Sequence, residues 1–107
     1  MASFQDREKG FENKYKHDQE KLFKITARRN KLLGLWAAGQ MGITGEAADA
    51  YAKTVVASDF ERPGDSDVVE KVLGDLKAKG QEITEHKLRA EMERLGREAE
   101  AQISAQS

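Results

Sequence analysis

Apolar positions along this chain recur with a helical period almost throughout, and no segment alternates every second residue as a half-buried strand would. The first long run, Asp18 to Gln40, holds Leu22, Phe23, Ile25, Leu32, Leu33, Leu35 and Trp36, which fill more than one face of a helix. That breadth predicts a central helix with Trp36 in the core. Gly39, Gly42 and Gly45 follow as C-cap and turn. A second helix is predicted from its N-cap Thr44 to about Phe60, with Ala47, Ala48, Tyr51, Val55 and Phe60 facing inward and Pro63-Gly64 stopping it. A third opens at Asp65-Ser66-Asp67, where Asp67 and Glu70 have capping-box spacing. Its apolar face is Val68, Val69, Val72, Leu73 and Leu76, and Gly80 ends it. The fourth starts at Thr84, with Ile83 and Leu88 placed as a hydrophobic staple. Leu88, Met92, Leu95, Ala99 and Ile103 then repeat at 4-3-4-4 spacing, and the last four residues are expected to fray. Short connections favour antiparallel neighbours, so the expected fold class is all-α, a four-helix bundle.

The segment before that bundle has a different character. From Phe4 to Asp18 eight of fifteen residues are charged, yet Phe4, Phe11 and Tyr15 punctuate it. At about 100° per residue, Phe11 and Tyr15 each fall within about 20° of Phe4, and Leu22 falls back in line with it. The aromatics thus form one narrow stripe on a charged rod, covered either by the chain's own core or by another protein. Asp18 and Gln19 interrupt the run towards the central helix, and Gly10 costs about 1 kcal/mol of helix propensity relative to Ala. An isolated helix of this length is marginal in water. The residues therefore predict a flexible, conditionally helical N-terminal segment over 1–18, ordered when its stripe finds a groove, and a four-helix globular domain over 19–107.

Composition supports helices and argues against several functions. The chain has 107 residues, enough for one domain, of which 38% are hydrophobic and 35% charged. It holds one Pro and no Cys, so there is no disulfide framework and no thiolate site. The start carries no basic-then-apolar run of a signal peptide, and no stretch is long and apolar enough to insert in a membrane, so a cytoplasmic protein is expected. The net charge of -1 hides an asymmetry. Residues 1–40 carry nine Lys/Arg and five Asp/Glu, and residues 41–107 carry nine and fourteen.

Catalytic chemistry is hard to find. His17 and His86 are the only histidines, at no metal-ligand spacing, and no nucleophile-elbow, HExxH or phosphate-loop motif occurs. Gly39 to Gly45 lacks the strand and the Lys of a phosphate loop, and Glu46 and Asp49 follow where an anion would bind. No enzyme activity, no metal and no cofactor are expected. The run KITARRNK, Lys24 to Lys31, offers four Lys/Arg for phosphates, so a nucleic-acid-binding or adaptor role on this face is the alternative. Against it stand the pI of about 6.1, the shortness of the patch and the lack of a reading motif. The other reading of the same run is a polar face paired with the acidic later helices.

The blocks MASFQDREKGFENKYKHD, ARRNKLLGLWAAGQMG, AYAKTVVASDFE and EHKLRAEM together resemble the zeta subunit of alphaproteobacterial F-type ATP synthases, over essentially the whole chain. The resemblance implies a four-helix protein whose N-terminal segment inhibits ATP hydrolysis. In the family that segment enters the catalytic head at an interface of the α and β subunits next to γ and blocks rotation. Carried over by residue, the inhibitory segment is about Ala2 to Gln19, with Phe4, Asp6, Arg7, Glu8, Phe11, Glu12, Lys14 and Tyr15 as candidate contacts. The expected partners are the α, β and γ subunits, with no nucleic acid and no membrane insertion, and the free protein is expected to be monomeric. Its expected place is the cytoplasmic side of the inner membrane, held there through the ATP synthase. The family also implies weak adenine-nucleotide affinity, for which no site is identifiable in the sequence.

Overall fold

The structure, a computed structural model, describes the backbone of residues 3–61 and 65–106 and the side chains of residues 19–59 and 65–106. Its elements are α1 (Ser3–Gln40), α2 (Gly45–Glu61), α3 (Asp65–Ala78) and α4 (Glu85–Gln106). This is the all-α, four-helix architecture that the periodicity predicts. Asp18 and Gln19 do not break the backbone: α1 passes through both as one helix of 38 residues. A helix of that length spans about 57 Å, and it accounts for most of the 66 Å long axis of a molecule only 25 × 22 Å across. The flexibility expected of residues 1–18, the inward face expected of Phe60 and the stop at Pro63-Gly64 lie outside the described residues.

Local chemistry sets the helix ends. At the end of α1, Gly42 adopts φ 76, Ile43 N–H donates to the Ala38 carbonyl at 2.8 Å, and Gly42 N–H donates to the Gly39 carbonyl at 3.2 Å. These two bonds make a Schellman motif, which needs a left-handed residue and so a glycine. The same motif closes α3, where Gly80 has φ 79 and Gln81 N–H donates to the Leu76 carbonyl at 2.9 Å. Thr84 caps α4 as predicted, its Oγ1 accepting from Lys87 N–H at 3.1 Å. The capping box at Asp67 and Glu70 is corrected: α3 already starts at Asp65, which puts Asp67 inside the first turn. There its carboxylate meets the positive end of the helix without being the cap.

α1 is central and packs along both α2 and α4, while α3 leans mainly on α2. The four-residue connection between α1 and α2 folds the second helix back antiparallel along the first, where Gly34 meets Ala52 and Val55. On the α4 side Arg29 lies beside Gly96 and Arg28 reaches Gln102. Leu33, Ala37, Val55, Val68, Val69, Val72, Leu76, Leu88, Met92 and Leu95 form the buried core. The predicted stripe of α4 is buried in full, from Leu88 to Ile103. On α1 and α2 the inner face differs from the prediction. Trp36 and Leu32 are half-buried against the core, Leu35 is half-buried without joining it, Ala47 is exposed, and Ala52 is 1% exposed in its place. The innermost positions of α1 are Asn30, Leu33, Gly34, Ala37 and Ala38. Small side chains there let two helix backbones approach closely, and the bulky Leu32, Leu35 and Trp36 fill the flanks.

A polar cluster ties α2 to α3. The Tyr51 hydroxyl donates to Asp75 Oδ2 at 2.8 Å, Lys71 Nζ donates to the same oxygen at 3.2 Å, and Lys71 Nζ lies 5.5 Å from the centre of the Tyr51 ring. Burial, with the Asp75 hydrogen bond and charge adding to it, raises the Tyr51 phenol above its ordinary value of 10.0. The folded state then keeps a proton that the unfolded chain gives up above about pH 10, so this contribution is complete below that pH and fades as pH rises past it. The stability difference between the wild type and Tyr51→Phe, measured by urea unfolding, should therefore narrow between pH 9 and pH 11. An unchanged difference would show that Tyr51 is not held in its neutral form by the fold.

Candidate functional site

Two surfaces were candidates from the sequence, and both lie on α1. The first is the stripe of Phe4, Phe11 and Tyr15, with Asp6, Arg7, Glu8, Glu12 and Lys14 around it. All eight residues sit on the helical backbone of α1, and their side chains lie outside the described residues. An unbroken helix keeps the phase that the sequence implies: Phe4, Phe11, Tyr15 and Leu22 stay within about 40° of one another around the axis. Leu22, the first member of the line with a described side chain, is 62% exposed, and its neighbour Phe23 is 57% exposed. They are the exposed large hydrophobics among the described residues. Leu33 lies eleven residues on, about 20° from the line of Leu22, and is 0% exposed. This side of α1 therefore passes from exposed at Leu22 to buried at Leu33 over about three turns.

The second candidate is the basic run Lys24–Lys31. Its two arginines turn out to hold the fold together. Arg28 donates from one guanidinium nitrogen to Gln102 Oε1 of α4 at 2.9 Å. Arg29 donates to Asp65 Oδ1 of α3 at 2.8 Å and, through two nitrogens, to Asn30 Oδ1 at 3.1 and 2.9 Å. Asn30 is itself fully buried, and its Nδ2 has no partner among the described residues. Leaving such a donor unpaired costs about 1–3 kcal/mol. Only Lys24 and Lys31 remain exposed on this run, and neither forms an ion pair with the described residues. Two lysines make a weak phosphate-binding face. The sequence treats all four cations alike because it cannot show that long arginine stems lie along the bundle while their heads reach neighbouring helices. The one hint is that buried Asn30 follows the pair directly.

The hollows of the bundle offer little chemistry. One of about 470 Å³ is lined by Arg29, Asp65, His86, Arg89, Met92 and Glu93 among others. Arg29 is paired with Asp65 there and Arg89 with Glu85, so its cations are already matched by carboxylates. His86 is exposed, as expected of a solvated helix residue. Among the described residues no group of three His, Cys, Asp or Glu side chains could hold a metal ion, and no helix is long and apolar enough to cross a membrane.

Comparison with known proteins bears on the first surface. The family model described as ATPase inhibitor subunit zeta matches residues 1–102, which includes the whole stripe. No curated protein matches the chain. A protein whose structure was solved in solution by NMR is 48% identical, with a TM-score of 0.70, over 79% of this chain and 96% of that one.

Proposed function

The chain belongs to the ATPase inhibitor subunit zeta family, and from that premise we propose that it stops ATP hydrolysis by lodging its N-terminal segment in the catalytic head of an F-type ATP synthase. An inhibitor subunit of this family associates with the ATP synthase. The wedge enters between an α and a β subunit of the enzyme, next to γ, and holds that interface in one shape so that rotation cannot proceed. The observation that carries this reading is the geometry of α1. It is a single helix of 38 residues, far longer than the bundle needs, with the aromatic line on the part that precedes the core-facing positions. A segment of about seventeen helical residues is about 25 Å long, enough to reach into a cleft between subunits. Phe4, Phe11 and Tyr15 would fill apolar holes there. Asp6, Arg7, Glu8, Glu12 and Lys14 would pair with a charged rim. The four-helix domain of residues 19–107 keeps the wedge at high local concentration near its site.

This role is regulatory: it uses no catalytic residue and no cofactor of the chain's own, and adenine-nucleotide affinity has no part in it. It places the protein on the cytoplasmic side of the inner membrane, held there by the ATP synthase, and a free monomer suffices for it. The test is to add the purified protein to the F1 head of its own host and follow ATP hydrolysis. Turnover should fall with increasing protein towards full inhibition. Undiminished hydrolysis at saturating protein would overturn the reading, and retention of a labelled oligonucleotide instead would favour the lysine face.

A further inference from the structure

We infer that the docking surface of the inhibitory segment does not end at residue 18 but continues through Leu22 on the rim of the same apolar cleft. The inference rests on the wedge reading and extends its footprint. Leu22 follows Phe4 by eighteen residues, about five whole turns of helix, so it lies on the same line as the aromatic stripe. The backbone of α1 is unbroken between them, so positions 4, 11, 15 and 22 keep one phase over about 27 Å of helix. At 62% exposed, Leu22 is the most exposed large hydrophobic among the described residues, whereas Leu33, close to the same line, is fully buried in the bundle. Among the described residues of the line, Leu22 is the one that the protein's own core leaves uncovered, ahead of half-buried Arg29 and buried Leu33.

A single exposed leucine is ordinary on a protein surface. Leu22 differs in its register: it continues a stripe already assigned to one partner, and a rigid helix seated in a cleft through Phe4, Phe11 and Tyr15 must carry Leu22 along the same wall. The occupant is therefore the apolar wall of the ATP synthase interface that takes the aromatics.

The experiment compares the wild type, Leu22→Ser, Leu22→Met and the triple variant Phe4→Ser, Phe11→Ser, Tyr15→Ser as inhibitors of F1 hydrolysis. Burying one leucine is worth about tenfold to a hundredfold in affinity, so L22S should need that much more protein for half-inhibition, and L22M should act like the wild type. L22S should melt at the wild-type temperature, since its side chain packs little on the bundle. If the triple variant loses inhibition while L22S matches the wild type, the contact surface ends before Leu22 and this inference is overturned with the wedge reading intact. If the triple variant inhibits as well as the wild type, the wedge reading fails and the extension falls with it. A lowered melting temperature in L22S would place Leu22 against the protein's own fold. A wild-type dimer that L22S dissolves, seen by sedimentation, would place it against a second copy. Either result overturns the inference.

Discussion

Deleting residues 2–18 should abolish inhibition of ATP hydrolysis and leave the rest of the protein folded. Among the described residues, the buried ones of α1 begin at Asn30, and the remainder belong to α2, α3 and α4. The ties from α1 to the other helices, Arg28 to Gln102 and Arg29 to Asp65, also survive. Helical circular dichroism and cooperative melting of the truncated protein should therefore persist. Inhibition should vanish because the deleted part carries all three aromatics of the stripe. Aromatic anchors of an interface cost 2 kcal/mol or more when truncated, so replacing Phe4, Phe11 and Tyr15 together by Ser should weaken inhibition by about a thousandfold or more. The charges left behind cannot compensate, since at physiological salt exposed charges are screened beyond about 8 Å. A truncated protein that inhibits at the full-length protein's concentration would transfer the activity to the bundle.

The ease of reading differed between helices for a physical reason. α4 touches the bundle with one face, so its large apolar residues and its buried residues coincide, and Leu88, Met92, Leu95, Ala99 and Ile103 can be read directly from spacing. α1 lies between α2 and α4, and where helices crowd on two sides the innermost positions go to small residues. Gly34, Ala37, Ala38 and Ala52 carry little hydrophobic signal, so the sequence directs attention to Trp36 and Leu35 on the flanks. The proposed stripe could be picked out as a pattern because three aromatics in a charged stretch keep helical phase. A target could not, since periodicity describes a stripe and says nothing of what covers it; the family match points to an ATPase without placing the contact. The exposure of Leu22 was equally invisible, because its counterpart Leu33 looks the same in sequence and is buried.

Gly34→Leu should be the most damaging single substitution in the bundle, and Gly34→Ala should already destabilise. A Cβ at position 34 would stand 2.6 Å from Ala52 Cα, 3.0 Å from Ala52 Cβ and 3.2 Å from Val55 Cγ2. The nearest of these atoms is backbone, which cannot rotate away, so the axes of α1 and α2 would have to move apart along their whole packed length. Ala in place of Gly gains about 1 kcal/mol in helix propensity, whereas overpacking costs about 1–3 kcal/mol and occasionally more. G34A should therefore lose up to about 2 kcal/mol net, the backbone contact placing it at the costly end of that range, and Leu, with three more carbons to place, should exceed about 4 kcal/mol. Gly74→Ala is the control, because a Cβ there meets nothing within 4 Å and should simply gain the propensity. In a chain of this length each 1 kcal/mol moves the melting temperature by about 4–8 °C, so the two alanine variants should melt on opposite sides of the wild type. Adding Ala52→Gly to G34A should not restore stability, because the closest contact is with the Ala52 Cα and a second helix glycine carries its own cost. G34A should still inhibit ATP hydrolysis fully below its lowered melting temperature, since the stripe is untouched. If G34A melts as high as G74A, the two backbones do not meet at Gly34. If it melts low and also fails to inhibit while folded, the bundle does more than hold the wedge in place.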